Sequence, residues 1–216
     1  IDDLELATIK QVPQDMNIIV YPSVDQQYET NIGAFEPMLQ TLTTFARRAT
    51  RVVLAYNGSY ADLKVQLRDG VTRALWETEL NADGVGEQVK STFVQGKKVE
   101  DIPMWYQEGS IRFFAHGWTV EAEDRLRNSF VQNKFKSWEE VLSYQPRLGG
   151  HAFCYFVSRK YYKMAVAQTF FQVIKKRSLA KGIRLVTKCS LDTLYAQCFE
   201  WYRQRFARSR AQGDST

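Results

Sequence analysis

The chain has 216 residues, 44% of them apolar and 25% charged, with a net charge of +5 and a pI near 9.1. Such a composition supports a packed core and excludes a disordered chain. No apolar run approaches the roughly eighteen residues of a membrane-spanning helix. The length fits one ordinary domain with a short tail, expected as a single domain over 1–211 and a polar tail over 212–216. The chain begins at Ile1 rather than Met, as expected of a processed or trimmed chain.

Residues 1–16 are polar and without clear periodicity. Asn17-Ile18-Ile19-Val20-Tyr21 is rich in β-branched residues and stopped by Pro22, which predicts a strand. Residues 23–33 are expected to be loop, and 34–49 are ambiguous. Arg51 to Tyr56 predicts a second strand, closed by the turn residues Asn57-Gly58-Ser59. From Tyr60 to Leu80 apolar side chains recur at three- and four-residue spacing, which predicts a helix with Ser59 as N-cap. Gly70 inside it costs about 1 kcal/mol relative to Ala, and close packing by a neighbour is the expected reason for it.

A polar connection follows from Asn81 to Asp101, with one short element expected at Glu87–Val94 and a Gly84-Val85-Gly86 stretch that lacks the rest of any phosphate-loop pattern. Pro103 predicts a helix start and Gly117 its end. Thr119 caps the next helix, to about Gln132, and Ser137-Trp138-Glu139-Glu140 reads as a capping box. Gly149-Gly150 reads as punctuation before a helix from His151 to about Tyr161. Further helices are expected at Met164–Lys175 and Ser190–Arg210. The fold class is therefore α+β and mostly helical: a small N-terminal sheet with one packed helix (17–101), then a helical part (102–211).

Basic residues form only short clusters, at Lys175-Lys176-Arg177 and at Arg203, Arg205, Arg208 and Arg210. They read as solvated helix faces, and no nucleic-acid partner is expected. The three cysteines Cys154, Cys189 and Cys198 form no Cys-x-x-Cys pair. Buried free thiol is the default for Cys198, with a Cys189–Cys198 disulfide left open in an oxidising compartment.

The segment Pro103-Met104-Trp105-Tyr106-Gln107-Glu108-Gly109 carries the main functional signal. With the strand–turn–helix of Arg51 to Leu80 before it, it resembles the gluzincin (peptidase MA-like) zinc metallopeptidase fold. More narrowly, it is similar to the peptidase-like domain of cell-envelope proteins carrying a TolB-like propeller. Further points of likeness are Asp25-Gln26-Gln27 with Thr30-Asn31, Trp118, Asp124 with Arg127-Asn128, Gly150-His151-Ala152-Phe153, Ser190-Leu191-Asp192 and Trp201.

The resemblance implies that Glu108 stands at the third metal ligand. The preceding His-Glu-x-x-His slot reads Arg68-Asp69-Gly70-Val71-Thr72. Arg68 then occupies the first ligand position, Asp69 that of the catalytic glutamate, and Thr72 the second ligand position. A guanidinium cannot bind a cation, and a catalytic zinc needs three protein ligands and an open position. Metal and cofactor are therefore both expected to be absent, and no catalytic residue is assigned. His116 lies about two helical turns, roughly 12 Å, beyond Glu108, too far to share a metal with it. His151 is expected to cap a helix or face solvent.

A carboxylate left without its metal needs a cationic partner. Arg68 is the expected partner of Glu108, with Thr72 as a hydrogen-bonding neighbour and Arg73 as second candidate. Trp105 and Tyr106 are expected in the core and along a cleft wall. The resemblance implies an inactive peptidase homologue serving as a scaffold or protein-interaction domain. It further implies a protein or peptide partner and a bacterial periplasmic or cell-envelope location. The alternatives are an active metallopeptidase or hydrolase with an unrecognised site, and a small basic adaptor without peptidase ancestry.

Overall fold

The computed structural model describes residues 16–28, 45–48, 51–81 and 102–213. The expected element at Glu87–Val94, the Gly84–Gly86 stretch and the Thr30-Asn31 part of the N-terminal loop lie outside them. The chain divides by contact into two compact units, Ile1–Lys97 with Phe114–His116, and Lys98–Phe113 with Gly117–Thr216. The protein is α+β and mostly helical, with its small sheet near the N-terminus. Among the described residues no helix is long and apolar enough to cross a membrane.

In the first unit, β1 (Asn17–Tyr21), β2 (Phe45–Arg48) and β3 (Arg51–Ala55) form a sheet of order β1-β3-β2. Strand β3 runs parallel to β1, Asn17 opposite Arg51 and Tyr21 opposite Ala55, and antiparallel to β2. As the central strand, β3 buries Val52, Val53, Leu54 and Ala55 almost completely, which explains its unbroken apolar run. A short helix α1 (Val24–Tyr28) follows β1. It falls where a loop was expected, and within the ambiguous stretch residues 45–48 form β2.

Helix α2 (Tyr60–Asn81) packs Val71, Ala74 and Leu75 on Val52 and Leu54. Its start is set locally: the Ser59 hydroxyl accepts from the Asp62 N–H (3.2 Å), and Asn57 is tied to both Ser59 and Asp62. Gln66 is buried because its amide completes the end of β3. Its Oε1 accepts from Ala55 N–H (3.2 Å) and its Nε2 donates to Ala55 O (3.0 Å).

The second unit takes most of α3 (Met104–His116), whose last turn belongs to the first unit. It continues through α4 (Val120–Asn133), α5 (Trp138–Tyr144), α6 (Pro146–Lys160), α7 (Ala165–Lys176), α8 (Leu179–Thr187) and α9 (Leu191–Gly213). Thr119 caps α4 by accepting from Ala122 N–H (3.2 Å), and Ser137 caps α5 by accepting from Glu140 N–H. Glu140 reaches back to Lys136 N–H (2.8 Å), one residue beyond the usual box partner. Gly117 ends α3 at φ +65°, a conformation open to Gly. The core centres on Trp138 stacked on Tyr202 (5.4 Å between ring centres), whose hydroxyl donates to Ala152 O (2.9 Å).

Two expectations are corrected here. Helix α6 starts at Pro146, five residues before His151, and runs straight through Gly149-Gly150. Helix α8 was not anticipated: Ser178 caps it, and Gly182, facing Val173, lets α7 and α8 meet backbone to backbone. A Cβ at Gly182 would lie 2.5 Å from Val173 N.

Candidate functional site

The positions that the resemblance aligns with metal ligands and a catalytic glutamate fall in both units. In the first, Arg68 and Asp69 of α2 meet the last turn of α3, while Thr72 and Arg73 bond to residues of α2 itself. Arg68 Nε donates to Ala115 O (2.5 Å). That carbonyl is one of the last four of α3, which have no partner within the helix. A guanidinium there both caps the helix and complements the negative end of its dipole. Asp69, 8% exposed, accepts from His116 Nε2 at 3.1 Å, and its other oxygen lies 3.7 Å from Arg73 Nη2. Thr72, buried, donates to Arg68 O one turn back (2.7 Å).

Sequence reasoning missed the Asp69–His116 pair. The two lie 47 residues apart, and the only local hint was a histidine in the last turn of a helix. Arg73, offered as a partner for Glu108, is tied to Asp69. Asp69 and His116 have the look of a carboxylate–imidazole dyad. No hydroxyl or thiol among the described residues is hydrogen-bonded to His116 to complete a nucleophile.

In the second unit, Glu108 is buried in α3, with Arg147 Nε of α6 3.9 Å from its Oε2. Arg147 was not singled out from sequence, because it precedes the residue where α6 was expected to begin. Beside Glu108, Gly109 meets Gly150 directly. A Cβ on Gly109 would sit 2.2 Å from the Gly150 carbonyl carbon, and one on Gly150 would sit 2.0 Å from Trp105 O. The Glu-Gly of the Pro-x-Trp-x-x-Glu-Gly segment is thus a helix-crossing device. Its glycine lets α6 approach, and the approach brings Arg147 to Glu108.

Trp105 is half-buried, edge-on to Phe153 (5.4 Å) and near Tyr195 (6.0 Å). Tyr106 is 1% exposed, and burial pushes its hydroxyl well above the ordinary tyrosine range. His151, expected at a helix start or in solvent, lies mid-helix and 4% exposed. Its Nε2 donates to Gly117 O (2.7 Å), satisfying the residue that ends α3. All three cysteines are free thiols. Among the described residues no group of three or more His, Cys, Asp or Glu is arranged to hold a metal ion. No family model, curated protein or solved structure matches the chain.

Proposed function

We propose that this protein is a non-catalytic relative of zinc metallopeptidases, acting as a scaffold or protein-interaction domain within a bacterial cell-envelope assembly. The observation that carries the proposal is the employment of the former active-site positions. Arg68, Asp69 and Thr72 all serve internal contacts, with Arg68 capping α3 at Ala115 O and Asp69 held by His116 and Arg73. The order of sheet, packed helix, connection and Glu-Gly helix supports the same ancestry. The envelope location comes with the resemblance. The proposal includes an Arg68–Glu108 attraction replacing that of the metal. A double-mutant cycle on R68A and E108A tests it, and a coupling below about 0.5 kcal/mol removes it.

The ancestry is tested by rebuilding the motif. The R68H/D69E/T72H variant is expected to take up close to one zinc ion, measured by metal analysis after gel filtration. Adding E108A should abolish that uptake. A folded triple variant that takes up no zinc would count against the ancestral frame. The loss of activity is tested separately on the unmodified chain: peptide hydrolysis that a chelator abolishes would overturn it. Crosslinking in the native cells, followed by mass spectrometry, identifies the assembly. Recovery of a cytosolic partner alone would reject the envelope location.

A further inference from the structure

No Asp or Glu occurs between Glu140 and Asp192, while ten Lys and Arg do. The whole chain is only +5, so this segment more than accounts for the excess and leaves the remainder acidic. The structure gathers much of this charge on the α7–α8 hairpin. Lys163, Lys175, Lys176, Lys181, Arg184 and Lys188 are all exposed there.

Elsewhere some of the protein's cations are paired. Arg127 of α4 meets Glu123 and Asp124, and Arg203 of α9 meets Glu200. Among the described residues, no carboxylate pairs with any of the six on the hairpin. Helix stability explains only some of them. Lys175, Lys176 and Arg184 sit in last turns, where a cation favours the helix. Lys181 sits in the first turn of α8, where a carboxylate is preferred and a cation is unfavourable.

Between the two helices lies an open groove of about 520 Å³, lined by Tyr162, Phe171, Leu185 and Val186 with Gln168 and Gln172. Lys188 also lines it. Leu185 is 44% exposed and Tyr162 45%. Lys181, Arg184 and Lys188 follow one another at helical spacing along one side of α8. Gln168, Gln172 and Lys175 do the same on α7. The result is an apolar floor within a basic rim.

We propose that the α7–α8 groove docks an acidic amphipathic segment of a partner protein. Apolar side chains of the segment would seat on Leu185, Val186 and Phe171, and its carboxylates would meet Lys163, Lys181, Arg184 and Lys188. A hairpin helix of twelve residues is about 18 Å long, room for about three turns of a helical ligand. The floor decides against a nucleic acid. Phosphates need no apolar floor, and half of the apolar floor, Leu185 and Val186, is aliphatic and offers no planar face for a base, leaving Phe171 and Tyr162 as its rings. This surface belongs to the second unit, uses none of the residues of the Arg68 cluster, and stands whether or not the peptidase ancestry does.

The test uses the full chain and a fluorescein-labelled peptide alternating Glu-Glu with Leu-Phe, read by anisotropy. Saturable binding that weakens with added salt is expected. K181E/R184E should weaken it about tenfold or more with little change in melting temperature, since a carboxylate favours the first turn of α8 and disfavours the last. A probe with Leu and Phe replaced by Ser should bind about tenfold more weakly as well. Absence of binding, or binding that K181E/R184E leaves unchanged, overturns the proposal. So does displacement of the peptide by lower concentrations of duplex DNA or of anionic vesicles, since either result makes the surface a general polyanion site.

Discussion

Glu123 shows how one side chain can hold two helices by charge. Its carboxylate accepts two hydrogen bonds from Arg205 of α9, at 2.8 and 2.9 Å, and one from Trp118 Nε1 at 3.1 Å. Arg205 in turn lies over the Trp201 ring (5.3 Å). The Arg205 hydrogen bonds, more than the bond from Trp118, hold Glu123 below the ordinary carboxylate range. A depressed folded-state pKa gives stability that is present above the unfolded value, near 4.3, and is lost as pH falls through the folded value. E123Q should therefore lower stability at neutral pH by about 1 kcal/mol or less, since the pair is partly exposed and screened. The gap between wild type and E123Q in urea unfolding should stay constant above pH 5 and close below about pH 4. A gap that widened in acid would refute the assignment.

At the scale of elements, the meeting of α3 and α6 sets the terms. In an exposed helix, Gly→Ala at position 109 would gain up to about 1 kcal/mol from propensity alone. The Gly109–Gly150 crossing reverses the sign, because the added methyl would overlap backbone, which cannot swing aside. G109A and G150A are each expected to lower the free energy of unfolding by about 2 kcal/mol or more, read as a lower urea midpoint. Combined, they should cost less than the sum, since both force the same two helices apart. An unchanged or raised midpoint would mean the helices do not touch there. The same crossing explains what was legible in the sequence. Ser59, Thr119 and Ser137 announce their helices because a cap acts within three residues. Gly149-Gly150 misleads because its local meaning, a break, is overruled by a contact with α3 some forty residues away. Asp69 with His116, and Glu108 with Arg147, were hidden for the same reason: each pair is made by tertiary approach, and neither member advertises the other.

Over the whole molecule, the core and the thiols measure the same thing. Cys154 and Cys198 lie in the second unit with 1% and 0% exposure, among the helices that also bury Phe153, Tyr195 and Tyr202. Burial pushes both thiols up, far from the thiolate form that reacts. Cys189 is half-exposed in the turn before α9, where its sulfur accepts from the Tyr161 hydroxyl at 3.5 Å. Burial, helped by this contact, pushes Tyr161 up to about 12. Folded protein should therefore give one equivalent of rapid labelling with a thiol reagent at pH 8, and C189S should remove it. The other two equivalents should appear only with unfolding. Their rate should then rise with urea in step with the loss of helical circular dichroism, since Cys154 and Cys198 sit on α6 and α9 and need the second unit opened to react. Rapid labelling of all three without denaturant would show that the Trp138–Tyr202 core opens far more readily than its packing implies.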